Sequence, residues 1–161
     1  MTVTRSVSVE RNRLRFAAAH MATFHGECEP LHGHNYDVIV EIEGTLTKDA
    51  WVWDFGALKR TTKTIIDELD HKFLLQAESR VLQIEREGDV WHIHFADRHY
   101  HFPAGDVVAL PIDNTTAERI AEWVAGRLIA ALRSSGGDNL GRLRVGIEEM
   151  PGQVGWYTVD L

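Results

Sequence analysis

The densest chemistry in this 161-residue chain lies between positions 20 and 34, where the single cysteine, Cys28, sits within six residues of His25, His32 and His34, and His20 lies just upstream. In His32-Gly33-His34, positions i and i+2 of an extended backbone point the same way, so two imidazoles can share one ion. His20, on the core side of the preceding strand, is the candidate third ligand. Three neutral histidines around Zn2+ leave a fourth position open, the arrangement of catalytic rather than structural zinc. Cys28 admits three readings: a fourth ligand that closes the site, a base or nucleophile beside the metal, or a small buried packing residue. A nearby cation would lower its thiol pKa. Asp70-His71 is either a polar helix terminus or a proton-shuttling partner for Cys28. Glu149 ends an apolar face made by Val145 and Ile147. A carboxylate there reaches solvent or accepts paired N–H donors from a guanidine-like or 2-aminopyrimidinone ring. Glu118 is explained equally well as the acid of a capping box with Thr115.

These residues need elements to position them. Residues 6 to 20 alternate as a strand which, if unbroken, puts Leu14, Phe16, Ala18 and His20 on one face and Arg13 and Arg15 on the other. A turn-rich stretch from 22 to 31 leads to a second strand over 34–43. Here His32, His34, Tyr36, Val38, Val40 and Ile42 share one parity, and Asp37, Glu41 and Glu43 the other, as in a sheet with one wet face. Asp54 caps an amphipathic helix over 55–69 built on Phe55, Leu58, Thr62, Ile65, Ile66 and Leu69. A second helix runs from Thr116 to Arg133 and stops at Ser134-Ser135-Gly136-Gly137. The chain closes with a strand ending at Glu149, a Pro151-Gly152 turn and a last strand around Trp156–Val159.

Residues 81–102 form a β-meander with turns at Glu87-Gly88-Asp89 and Asp97-Arg98. That register pairs Phe95 with Tyr100 and Ile93 with Phe102, gathering the bulky apolar residues, Trp91 included, on one face. His92, His94, His99 and His101 fall on the other. A hydrated polar face opposite a buried aromatic one accounts for the alternation without a metal; a second equivalent of bound zinc would overturn that reading.

Composition bounds the rest. With 17 Lys+Arg against 24 Asp+Glu the net charge is −7, and nucleic acid is excluded as a partner because phosphate binding is largely charge neutralisation by basic residues. A single domain of this size buries roughly 70% of its unfolded surface and needs no disulfide, which one cysteine cannot form internally. No apolar run spans a membrane, and Met1–Glu10 carries no apolar signal core, so a reducing cytoplasm is the expected location.

The motifs occur in a definite order: Phe16-Ala17-Ala18-Ala19-His20, Cys28-Glu29-Pro30-Leu31-His32-Gly33-His34-Asn35-Tyr36, Trp53-Asp54-Phe55-Gly56-Ala57-Leu58-Lys59, Leu69-Asp70-His71, Thr116-Ala117-Glu118 and a strand ending in Glu149. Together they resemble the 6-pyruvoyltetrahydropterin synthase and 6-carboxytetrahydropterin synthase family over nearly the whole chain, residues 76–112 excepted. The Cys-x3-His-x-His spacing is more similar to the bacterial carboxy branch, which makes the queuosine precursor. The resemblance implies an α+β tunnelling fold (T-fold): an antiparallel four-stranded sheet with two helices on one face, here a single domain over 1–161 with an inserted β-meander at 76–112. It implies homo-oligomers, trimers or hexamers, with active sites at subunit interfaces. Carried over, His20, His32 and His34 would hold zinc, Cys28 would be the general base working with Asp70 and His71, and Glu149 would anchor the pterin, with Thr116 and Glu118 in the same pocket. The implied reaction takes 7,8-dihydroneopterin triphosphate to 6-carboxy-5,6,7,8-tetrahydropterin with release of acetaldehyde and triphosphate. The alternatives are a pyruvoyl-type triphosphate lyase, a paralogue acting on another pterin, and a non-catalytic zinc- or pterin-binding protein. Three departures from the family pattern bear on the substrate: Leu74-Leu75 in place of Asn, Thr115 in place of the Pro of Asn-Pro-Thr, and Met150 in place of Thr.

Overall fold

The computed structural model describes residues 3–161, the side chains of residues 11 and 12 excepted. Its elements in chain order are β1 (Arg5–His20), β2 (Thr23–Phe24), β3 (Glu27–Cys28), β4 (His32–Gly44), α1 (Phe55–Ile66), β5 (Lys72–Gln76), β6 (Gln83–Glu87), β7 (Val90–Phe95), β8 (Arg98–Pro103), β9 (Val107–Leu110), α2 (Ala117–Ser134), β10 (Leu140–Met150) and β11 (Gln153–Asp160). Strands β11-β10-β4-β1 make the expected antiparallel four-stranded sheet. Beyond β1 it is extended by β5 and then β9, both parallel to their neighbours. The Leu74-Leu75 departure lies at the centre of this extension. Both leucines are fully buried, one in each of two apolar clusters, as a strand covered on both faces requires.

The main core is the seam between the sheet and the two helices. Val38, Val40 and Ile42 of β4 and Leu143, Val145 and Ile147 of β10 meet Leu58 and Ile66 of α1 and Ile120, Val124 and Leu128 of α2. Asp54 caps α1 by accepting from the Ala57 N–H at 2.6 Å. The helix ends at Ile66, short of the expected 69, and the following turn still buries Leu69 before the chain emerges at Asp70. In α2 the cap is Thr116, whose Oγ1 accepts from the Arg119 N–H, and not Thr115. The Thr115–Glu118 capping box is therefore absent. The Thr115 hydroxyl instead donates to Gln76 Oε1 in the buried interior.

β1 is not unbroken. Glu10 faces Ile39 and Arg15 faces Asp37, so four residues of β1 oppose the single Val38 of β4. This bulge inverts the strand's parity: Val9 is buried ahead of it, and Leu14, Phe16, Ala18 and His20 behind it. In the meander, the two-residue loop is Ala96-Asp97, with Ala96 at φ +52°, and not Asp97-Arg98. Pairing is shifted by two residues, so Ile93 faces Tyr100 and Trp91 faces Phe102. A shift of two preserves the faces. The aromatic side packs with Met21, Cys28, Phe73, Leu75 and Leu82 into the second cluster. Among the described residues no helix is long and apolar enough to cross a membrane.

α2 begins directly on β11. A Cβ at Gly155 would lie 2.6 Å from the Ala117 Cβ and 2.8 Å from the Glu118 backbone nitrogen. Gly155→Ala is expected to push the α2 N-terminus outward and to destabilise the fold by about 1–3 kcal/mol, read as a lower urea midpoint at unchanged m-value.

Candidate active site

The bulge in β1 and the continuous parity of β4 bring His20, His32 and His34 together at one end of the sheet, with ligand atoms all within 4.8 Å of one another. The tautomers of His20 and His32 are set by backbone carbonyls, which can only accept. His20 Nδ1 lies 2.9 Å from the Thr115 oxygen, and His32 Nδ1 lies 2.8 Å from the Pro30 oxygen. Each Nδ1 therefore carries the hydrogen, and each Nε2 presents a lone pair. Those two Nε2 atoms lie 3.1 Å apart. In this state they cannot hydrogen-bond each other, whereas a shared cation turns the repulsion into attraction. The spacing is close to the roughly 3.4 Å expected of two ligands on tetrahedral zinc. Burial lowers the pKa of His20 to about 4, with His32 and His34 adding to the effect against the Thr115 hydrogen bond, so it stays a neutral ligand at physiological pH. The donor set fits a zinc ion with an open position. Cys28 does not join the group, which argues against its being the fourth ligand.

Behind His20 a buried relay holds the Thr115 carbonyl that orients the ring. The Thr115 hydroxyl donates to Gln76 Oε1 at 3.0 Å, and Gln76 Nε2 donates to the Met21 carbonyl at 3.1 Å. Asn114 clamps the same loop, accepting from the Thr23 and Thr115 amides and donating to the Thr23 carbonyl. A proline at 115 would supply neither the amide nor the hydroxyl, so this departure has a structural use here.

In front of the histidines opens a cavity of about 540 Å³, walled by Glu29, Glu149, Thr116 and Glu118 at the start of α2, and Gln153–Gly155 of β11. Glu149 stands where the β10–β11 register shifts, between Glu148 facing Val154 and Met150 facing Gln153. It keeps the parity of Leu143, Val145 and Ile147, and its carboxylate lines the cavity. Its half-buried position raises its pKa, Glu29 and Glu118 push the same way, and His34 and His32 oppose them. Met150 is 54% exposed and lines no part of the cavity. Among the described residues the fully buried Tyr36 hydroxyl has no hydrogen-bond partner, a state costing about 1–3 kcal/mol. Burial and the nearby Glu149 and Glu29 raise its pKa, so it is held as a donor.

The remaining proposed residues lie elsewhere. Cys28 is buried in the second cluster, its Sγ 3.4 Å from the Glu29 oxygen. Burial pushes its thiol pKa up, and the neighbouring Arg98 pulls in the opposite direction. Asp70 and His71 form a dyad, with His71 Nδ1 3.0 Å from Asp70 Oδ2. Both grip β1: Asp70 accepts from the Ala17 N–H and the His71 N–H donates to the Ala17 oxygen. The Ala17 hydrogen bond, ahead of His71 itself, holds the Asp70 pKa below its usual value. His71 adopts φ +57°, a strained conformation for a non-glycine residue, and is 81% exposed. It lines a neighbouring cavity of about 690 Å³ with Lys72, Phe73 and Phe102, and His34 lines both cavities. Among the described residues the histidine cavity has three glutamates and no lysine or arginine in its walls. Sequence reasoning did not single out Glu29, three residues before His32 in the turn between β3 and β4. Nor did it see Thr115 as the residue that orients His20.

The family model for 6-pyruvoyl tetrahydropterin synthase matches residues 9–160. A Methanocaldococcus jannaschii protein provisionally named 6-carboxy-5,6,7,8-tetrahydropterin synthase is 35% identical over 145 residues, 89% of each chain. The Haemophilus influenzae 6-carboxy-5,6,7,8-tetrahydropterin synthase is 35% identical over 119 residues, 70% of this chain and 76% of its own. The crystal structure of Plasmodium vivax 6-pyruvoyl tetrahydropterin synthase superposes with a TM-score of 0.93 at 30% identity, covering 99% of this chain and 100% of that one. A further structure of the same Plasmodium protein carries alanine in place of a glutamate described as a catalytic residue.

The glycine between His32 and His34 is a packing requirement: a Cβ there would lie 2.8 Å from the Ala18 backbone oxygen. Gly33→Ala should pry β4 from β1 beside His32 and His34, costing about 1–3 kcal/mol. The variant is expected to retain less zinc than the unaltered chain after gel filtration, measured by elemental analysis.

Proposed function

The chain belongs to the 6-pyruvoyl tetrahydropterin synthase family, and on that premise we propose that it is a zinc-dependent lyase. The proposed reaction converts 7,8-dihydroneopterin triphosphate and water to 6-carboxy-5,6,7,8-tetrahydropterin, acetaldehyde and triphosphate, a step toward queuosine and other 7-deazapurines. The observation that carries this reading is the pair of carbonyl-oriented Nε2 lone pairs 3.1 Å apart, facing a cavity that also holds Glu149. When bound there, zinc supplies Lewis acidity to the hydroxyls of the substrate side chain. Glu149 accepts the ring and amino N–H donors of the pterin, fixing which side-chain carbon faces the histidines. Thr116 and Glu118, at the mouth of α2, border the same ring.

Proton transfer at the side-chain carbons is assigned to Cys28 with Asp70 and His71. Asp70 holds His71 by Nδ1, leaving Nε2 free to take or give a proton. His71 and Lys72 line a neighbouring cavity that shares only His34 with the histidine cavity, and among the described residues the histidine cavity has no lysine or arginine for a triphosphate. Both facts support a homo-oligomer, a trimer or hexamer, in which a second copy completes the site with its own His71 and Lys72. The cytoplasm is the proposed location.

A second reading gives the base to Glu29. This glutamate lines the zinc cavity 3.9 Å from His32 Nε2, whereas Cys28 points into the apolar cluster, and a catalytic glutamate is described for the Plasmodium relative. Single variants separate the two. If Cys28 is the base, Cys28→Ala keeps its zinc and loses about 10²–10⁴-fold in turnover, while Glu29→Ala retains most of it; the opposite pattern assigns Glu29. Mass spectrometry of products from the triphosphate substrate distinguishes the carboxy from the pyruvoyl outcome, and no turnover by zinc-loaded protein would refute the lyase reading.

The raised pKa of Glu149 sets the acid side of binding. The pterin's N–H donors need the carboxylate, so affinity falls as pH drops through a value above the ordinary glutamate pKa of 4.5. Glu149→Gln should weaken binding by about 1.5–3 kcal/mol at pH 7 and remove that acid limb, as measured by KM between pH 4.5 and 8.

A further inference from the structure

Four of the nine histidines lie on the small β6-β7-β8 sheet, away from the pocket. β7 and β8 pair so that His92 faces His101 and His94 faces His99, with ring centroids 4.5 and 4.4 Å apart. The ligand atoms of His92, His94 and His101 all lie within 4.8 Å of one another. A hydrated face requires polar side chains but not their convergence. His94 Nδ1 and His99 Nδ1 are 3.2 Å apart, so a hydrogen bond there requires one of them to lack its hydrogen and offer a lone pair. On β6, Glu85 lies directly opposite His92, and the Glu87 carboxylate is 3.8 Å from His92 Nε2. Carboxylates beside converging imidazoles favour a cation.

The geometry points to a second metal site on this face, in which His92, His94 and His101 hold a transition-metal dication of the zinc class. Imidazole donors select zinc, nickel or copper over magnesium and calcium. Tetrahedral zinc places its ligand nitrogens roughly 3.4 Å apart, a contraction that these partly and fully exposed side chains reach by rotamer adjustment. The backbone beneath them needs no rearrangement. Trp91, Ile93, Phe95, Tyr100 and Phe102, on the opposite face, are packed into the second apolar cluster. His99 then orients His94 by hydrogen bonding to it, and Glu85 and Glu87 offset the ion's charge.

The site also reaches the pocket through the hairpin tip. Arg98 donates to the Cys28 carbonyl at 2.6 Å and to the Glu29 carbonyl at 3.1 Å. An ion clamping β7 to β8 beside that tip braces the turn that carries both candidate bases.

The test uses the full chain, stripped with a chelator and titrated with zinc alone by calorimetry, with cobalt absorption as a second readout. Two equivalents per chain are expected. The double variant His92→Asn, His101→Asn, checked for folding by circular dichroism, should bind one. Independently of how that variant folds, His32→Asn, His34→Asn should still bind one, with its thermal midpoint raised by zinc. One equivalent in the unaltered chain, or none in the His32/His34 variant, would overturn the proposal.

Discussion

Two backbone carbonyls, those of Thr115 and Pro30, decide what the active-site histidines can do. A carbonyl cannot donate, so His20 and His32 must each put their hydrogen on Nδ1 and turn an unshared pair toward the other at 3.1 Å. An arrangement that would be frustrated in an ordinary core is a prepared cation site. Much of the surrounding structure keeps those carbonyls in place. Asn114 ties the Thr115 loop to β2, and Gln76 ties Thr115 to β5 and to the Met21 backbone. The two parallel strands added to the sheet are thus connected to the site, because β5 supplies the buried amide on which the relay rests.

The chemistry is divided between cavities of different character. The histidine end is rich in carboxylate, suited to a ring bearing N–H donors and unsuited by itself to a polyanion. His71 and Lys72 border the other cavity, which also reaches His34. His71 holds a left-handed backbone conformation, with its amide and the Asp70 carboxylate both fastened to Ala17. Such strain persists only where neighbouring bonds over-determine it.

Much of this was legible in the residues because strand parity is a strong signal. The period-2 pattern of β4 placed His32, His34 and Tyr36 on one face, and the helical stripes placed α1 and α2. The meander's faces survived a misplaced loop because the error was two residues, and faces repeat every two. What escaped were local choices between near-equivalent neighbours. Thr115 and Thr116 are both plausible caps, and tertiary contact with Gln76 decides which hydroxyl is used. Cys28 and Glu29 are adjacent, and only the packing of the meander shows that the thiol enters the apolar cluster while the carboxylate enters the cavity. Alternation put Glu149 on the face of Val145 and Ile147, but only the start of α2 and β11 closing over that face shows a cavity there rather than solvent.

The bulge in β1 carries a consequence for how this strand can vary in length. Its first half buries odd-numbered residues and its second half even-numbered ones, and the four residues opposite Val38 absorb the change. The two halves are therefore coupled only through whether the looped-out count is odd or even. Gaining or losing a pair of residues there leaves His20 facing its partners, whereas a single insertion or deletion rotates it to the wrong side of the sheet. Length variants at this point should accordingly be tolerated in steps of two.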